Sequence, residues 1–401
     1  MLTSRDNNAV PAAYQGREQA YIKHRLLEAY LEKLCMIVGM SSDGLGITEL
    51  CYVDCFAGPW LDESEGLGTT SIAISLGILE KCRRGLFDRG KQLHFRALYV
   101  ENDEKAFGRL ERHLKEHTPP GIETKGLRGD FVALRTQILD WCKRGSFAFF
   151  FIDPKGWTDV GVDVLKPLLQ RAQSEFLITF MYDFANRAVS MQDFQVQISE
   201  LLGERPKVSG LSPPDREKAV LRTYRRNLEA CVYSNTQWPA RSAYVRVQDR
   251  LKDRTKYHLV YLTGHPLGIV KFMEISEKLD IVQKHTRAVT KQRSQIEKSG
   301  QTTLFEAGEF ISEDDGRVSG DEVEQYWLSK LSDVRRMFGN TEFAGILEET
   351  DWFPGDLQLA LGRLMDQGKI VNIDAKGRRK TRFLHYDLGR GERLQLTGGK
   401  P

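Results

Sequence analysis

The chain lacks any run of about 18 apolar residues, the length needed to cross a bilayer. Its first residues, MLTSRDNNAVPAAYQGREQ, hold no apolar signal core. No membrane contact is expected, and the expected location is the cytoplasm. Cysteine is sparse and scattered: Cys35, Cys51, Cys55, Cys82, Cys142 and Cys231. Several sit in apolar runs, which fits reduced thiols and excludes a disulfide framework. Cys51 and Cys55 form a CxxxC, but no third ligand follows at a metal-like spacing, so no metal site is expected. A strand points residues four apart to one face, and this pair reads as small core residues. An excess of one charge is also missing, with a net charge of +3. Any anionic partner must therefore be met by local clusters of basic residues. No GxGxxG occurs, nor any internal repeat or low-complexity tract.

What is present is a folded soluble composition, 41% hydrophobic and 28% charged, over 401 residues. That length predicts two domains. The organising stretch is Cys51–Trp60, CYVDCFAGPW, a buried strand running into a glycine turn. A second strand at Arg96–Glu101 ends on an acid, and a third, FAFFFIDPKGW at Phe147–Trp157, ends on Asp-Pro. Strand, glycine loop, strand, acid, strand, Asp-Pro is the layout of a nucleotide-type site at the carboxyl edge of a parallel sheet. The ligand this predicts is S-adenosylmethionine.

Taken in order, residues 1–20 read as an N-terminal arm and 21–283 as a Rossmann-like domain. Tyr21–Val38 has helical spacing, with Lys23, Arg25 and Glu28 on its polar side. Five strand–helix units follow, then a long hairpin, Ser242–Gln248 with Tyr257–Thr263, and a last helix at Pro266–Leu279. That order predicts a mostly parallel sheet closed by an antiparallel hairpin, with one edge strand antiparallel, the class I methyltransferase type of α/β fold. Residues 284–320 read as a linker, partly helical at its start, 321–387 as a winged helix and 388–401 as a frayed tail. Within the winged helix the spacing predicts helices at Glu322–Phe338, Thr341–Thr350 and Pro354–Asp366, with Leu357, Leu359, Leu361 and Leu364 facing the core. A hairpin of Lys369–Asp374 with Thr381–Tyr386 would form the wing.

The candidate cofactor residues are Asp54, Phe56, Gly58, Glu101, Asp130 and Phe131. Gly58 lets a ligand approach the backbone. Glu101 would accept from ribose hydroxyls, although it lies 43 positions after Gly58 where about 20 is usual for a dinucleotide site. An NAD site is therefore disfavoured, and an inserted loop is implied. Asp130 would accept from the adenine amino group, with Phe131 against the ring. Asp153 and Trp157 would place the acceptor, because aromatic side chains stack bases. Lys155, Asn186 and Arg187 would meet phosphate or an acidic substrate. Lys376, Arg378, Arg379 and Lys380, with Arg382, put five cations within residues 376–382 at the wing tip, a pattern suited to phosphates. Each feature also has an ordinary reading, as a tight turn, a solvated acid, a helix cap or a wing used for protein docking.

The set YVDCFAGPW, YVEND, FFFIDPKGW and MYDFANR, with the leading KHRLLEAYL and the later GQTTLF, resembles the three-Cys-motif partner proteins over roughly residues 20–305. The resemblance implies a class I methyltransferase-like fold and a neighbouring radical-SAM-type protein with three cysteines as partner. The appended winged helix is similar to one found in that group. One departure is plain. Amino-methyltransferases carry Asp/Asn-Pro-Pro-Tyr/Phe where this chain has Asp153-Pro154-Lys155-Gly156. Two expectations follow: a methyltransferase acting on nucleic acid, or a protein that holds S-adenosylmethionine or a nucleotide without turnover and serves a partner.

Overall fold

The structure, a computed structural model, describes residues 10–58, 70–234, 239–299, 318–387 and 389–397. Pro59, Trp60, the acidic loop at 61–68 and the GQTTLF segment at 300–305 lie outside the described residues. So do parts of the expected arm, linker and tail. The chain divides into two units, Met1–Gly264 and His265–Pro401.

In the first unit α1 (Glu18–Leu45) precedes β1 (Glu49–Asp54) and ends on Gly46, whose φ of 64° suits glycine. Next come α2 (Ser71–Phe87), β2 (His94–Glu101), α3 (Glu104–His117), β3 (Ile122–Arg128), α4 (Phe131–Trp141) and β4 (Phe147–Ile152). The unit continues through α5 (Val162–Leu169), β5 (Ser174–Phe180), α6 (Tyr182–Ala188), α7 (Gln195–Leu202) and α8 (Pro213–Cys231). It closes with β6 (Arg241–Gln248) and β7 (Thr255–Thr263). Local chemistry starts three of these helices. Thr70, Asp103 and Asp130 each accept a backbone N–H from the first turn of α2, α3 and α4.

The seven strands lie in the order β3-β2-β1-β4-β5-β7-β6. β1 to β5 are parallel, and β7 is antiparallel to both β5 and β6. This is the order of the class I methyltransferase fold, a Rossmann-like α/β sheet. The antiparallel strand is not the edge strand, as the sequence suggests, but one in from it, because β6 pairs on its outer side. β4 is apolar throughout and buried on both faces between β1 and β5. The strand order reverses between β1 and β4, so a crevice opens beyond their carboxyl ends.

The second unit begins with α9 (Pro266–Ser299), which runs on from the expected last helix into the first part of the expected linker, the part the sequence reads as helical. The helix is held within its own unit: Tyr386 Oη donates to Glu274 at 2.6 Å, and Gly355 N donates to Glu277 at 3.2 Å. Then follow α10 (Gly320–Lys330), β8 (Arg336–Phe338), α11 (Asn340–Thr350), α12 (Pro354–Asp366), β9 (Ile370–Asn372) and β10 (Glu392–Leu396). The first expected helix is thus shorter, and its C-terminal end is a strand. The wing also differs. Thr381–Tyr386 is not a strand, and β9 pairs instead with β10, the centre of the sheet β8-β10-β9. The stretch read as a frayed tail therefore holds the central strand, with Leu394 fully buried. On α12, Leu357, Leu361 and Leu364 are buried as expected, but Leu359 is 62% exposed. Among the described residues no helix is long and apolar enough to cross a membrane. All six cysteines are free thiols.

Candidate functional site

Parallel polarity brings the ends of β1, β2, β4 and β5 to one sheet edge. The loop after β1 is braced from both sides: Cys55 N donates to Phe151 O at 2.9 Å, and Ala57 N donates to Val100 O at 2.8 Å. This puts Gly58 against the end of β2. A Cβ at Gly58 would stand 1.6 Å from Glu101 Oε2, so only glycine fits beside that carboxylate as it lies. Glu101 Oε1 accepts from Asp103 N at 2.7 Å, and its carbonyl accepts from Gly129 N at 3.0 Å. The glycine turn, the β2 acid and the loop after β3 are thereby stitched together. Oε2 makes no hydrogen bond with the described residues.

Asp54 ends β1 and is fully buried. Its carboxyl accepts from Ser71 Oγ at 2.6 Å and from Phe56 N at 3.2 Å. Burial pushes it up to about 7, and the nearby Asp153 charge adds to this against the opposing hydrogen bonds and Lys23. Asp153 follows β4 and is paired with Lys23 Nζ at 2.5 Å. Helical spacing places Lys23 on the polar side of α1. Its side chain is only 14% exposed, and it joins α1 to the crevice between β1 and β4. No local signal marks this contact, because its partner lies 130 residues away.

The remaining expected residues divide. Phe56 is half-buried and lies 5.0 Å, centroid to centroid, from Phe131. Phe131 itself is core, 3% exposed, so it supports Phe56 rather than presenting a face of its own. Asp130 is exposed and caps α4 through Ala133 N at 3.0 Å. Trp157 is half-buried, 6.4 Å from Phe194. Lys155 is exposed. Asn186 lies inside α6 rather than at a cap position. Arg187 is exposed on the same helix, 4.8 Å from the Phe184 ring.

On the wing, Lys376, Arg378 and Lys380 are exposed. Arg379 is different: both its Nη atoms donate to Glu392, at 2.8 and 2.7 Å. Its charge is spent on holding the wing to β10. Arg363 of α12 is paired with Glu324, so this helix offers little free positive charge.

A family model described as a GMT-like wHTH domain matches residues 291–377. No curated protein matches the chain. Among solved structures the chain is similar to a Legionella pneumophila protein of family DUF519. Identity there is 11% and the TM-score 0.38, over 67% of this chain and 92% of that one. It is similar to loganic acid methyltransferase, solved with SAH, at 10% identity and a TM-score of 0.31, over 74% and 92% of the two chains. A putative O-methyltransferase from Klebsiella pneumoniae shares 10% identity at a TM-score of 0.28, over 64% and 90%. The fold assignment of the first unit rests on its own strand order. The second unit carries a winged helix-turn-helix domain, by its sheet order and by the matched model.

Proposed function

We propose that the first unit is an S-adenosylmethionine-dependent methyltransferase acting on nucleic acid. The observation that carries this reading is the abutment of Gly58 on Glu101 beside the crevice where the strand order reverses. When bound, S-adenosylmethionine supplies an electrophilic methyl group on its sulfonium. Glu101 would hold the ribose hydroxyls, since a carboxylate can accept from two vicinal donors. Phe56, backed by Phe131, would face the adenine, and Asp130 its amino group. Gly58 would line the methionine end, with the fully buried Asp54 behind it bracing the loop through Phe56 N. Asp153 and Trp157 would place the acceptor, with Lys155, Asn186 and Arg187 toward the substrate. Transfer to a positioned acceptor needs alignment more than proton relays, so few catalytic groups are required. The wing cations Lys376, Arg378 and Lys380 would add phosphate contacts without reading sequence.

A second reading is favoured by the Lys23–Asp153 pair and by Lys155-Gly156. The carboxylate that would orient an amine acceptor already holds an ammonium group, and the aromatic partner of amino-methyltransferases is absent. On this reading the unit binds its ligand without turnover and serves a radical-SAM-type three-Cys protein. Calorimetry with S-adenosylmethionine, followed by mass spectrometry of nucleosides from nucleic acid incubated with the protein and cofactor, separates the readings. Binding with a new methylated nucleoside supports the enzyme. Binding without one supports the partner role. No binding overturns the enzyme, and no binding of a nucleoside triphosphate either overturns both.

A further inference from the structure

We infer that the rim formed by α6 and the β6–β7 hairpin is a track for single-stranded nucleic acid, an inference that rests on the methyltransferase reading. The strand register puts the hairpin at the crevice edge. Phe180, the end of β5, faces His258, so the start of β7 and the turn before it lie beyond the end of β5. Arg254, in that turn, donates to Asp183 of α6 at 2.9 Å and ties the two segments together.

The rim is basic. Residues 246–256, RVQDRLKDRTK, hold five cations against two carboxylates. Three cations converge on Asp183: Arg254, then Arg187 and Lys256 at 3.8 Å each. Asp183 is only 12% exposed, whereas the side chains of Arg187, Arg254 and Lys256 are 60%, 44% and 32% exposed. The acid is inside and the cations outside, so a polyanion meets the positive side of each pair. Such an arrangement fixes the cations without a charged ligand and leaves donors for phosphate oxygens.

The rim also carries an exposed aromatic. Phe184 is 40% exposed, with the Arg187 guanidinium 4.8 Å from its ring centroid. Phe184 thus keeps a good part of its ring in water beside a row of cations. Aromatic platforms beside positively charged tracks are how proteins hold single strands, because every base has a face to stack. A duplex hides those faces, so the surface favours a single strand over a duplex. An acidic protein would use the cations but would leave Phe184 without a flat partner.

The test is fluorescence anisotropy of the full chain with a labelled single-stranded oligonucleotide, its duplex and poly-glutamate, at two salt concentrations. Calorimetry with S-adenosylmethionine is run on the same proteins. Phe184→Ala should weaken single-strand binding about tenfold or more, with the salt dependence unchanged. Arg187→Ala should lower the slope of log affinity against log salt by about 0.7 for a single strand. Neither variant should alter cofactor affinity. These substitutions leave the Arg254–Asp183 pair in place, and melting temperatures confirm that both variants are folded. Unchanged single-strand binding in both variants, or poly-glutamate binding more tightly than the oligonucleotide, overturns the track while leaving the methyltransferase reading intact. Loss of cofactor binding in the wild-type protein overturns that reading instead.

Discussion

Replacing Gly58 by alanine adds one methyl group where the β1 loop meets the end of β2. The new carbon would stand 1.6 Å from Glu101 Oε2 and 2.8 Å from its Cδ. Non-bonded atoms of this kind settle at about 3.5 Å, so the carboxylate must retreat by roughly 2 Å. Gly58 is not among the described glycines with positive φ, so its backbone accepts alanine. The group displaced is the end of a flexible side chain. Stability should therefore change by less than about 1 kcal/mol. Ligand affinity should change more. Hydrogen bonds to a charged acceptor contribute about 1.5–3 kcal/mol each, so losing one from Glu101 to a ribose hydroxyl costs about tenfold or more. The assay is calorimetric titration of S-adenosylmethionine into wild type, Gly58→Ala, Glu101→Ala and the double variant, with melting temperatures alongside. Because the new methyl group acts by moving Glu101, the losses should not add, and the double variant should bind no more weakly than Glu101→Ala. Wild-type affinity in Gly58→Ala, or fully additive losses, would refute the contact as the basis of binding.

Asp54 predicts a pH dependence. Its carboxyl is raised from 3.8 to about 7, so the folded state favours the protonated form. The resulting stability is fully present below about pH 4 and is lost as pH rises through 7, amounting to roughly 4 kcal/mol. Asp54→Asn should flatten the unfolding free energy between pH 4 and 7 in urea titrations, and an unchanged profile would discredit the burial argument. Lys23→Met leaves the largely buried Asp153 carboxylate without its ion pair and should destabilise by about 1–3 kcal/mol. Adding Asp153→Asn should recover part of that loss in the same denaturant assay. Ending the chain at Asp387 removes β10, with buried Leu394 and the Glu392 carboxylate that receives Arg379, Asn372 and His385. Limited proteolysis should then cut residues 320–387 rapidly while residues 18–263 stay protected. Replacing Lys376, Arg378 and Lys380 by alanine should reduce the salt slope of duplex binding by two to three units, at about 0.9 per phosphate contact, and an unchanged slope would assign the wing to protein docking.

Sequence patterns act locally, and this decides what they reveal. The apolar run Phe147–Ile152, the glycine after β1 and the acid ending β2 are each visible because burial and strand polarity constrain neighbouring residues directly. The wing shows the limit. Thr381–Tyr386 alternates like a strand, and Leu384 and Tyr386 are buried. Yet the segment does not join the sheet, and Glu392–Leu396 takes the place beside β9. Alternation reports which side chains are buried, not which backbone pairs with which. Helical spacing likewise places Lys23 on the polar side of α1 but does not name its partner, and there its long side chain reaches Asp153.

Periodicity and turn chemistry within each short segment thus encode the class of sheet and the acids and glycine at its carboxyl edge. The fold adds what no segment carries: Gly58 and Glu101 touch, Lys23 neutralises Asp153, Arg379 is spent on Glu392, and β10 completes the wing. Each of these joins residues brought together by the packing of separate elements, and no one segment encodes the position of its partner.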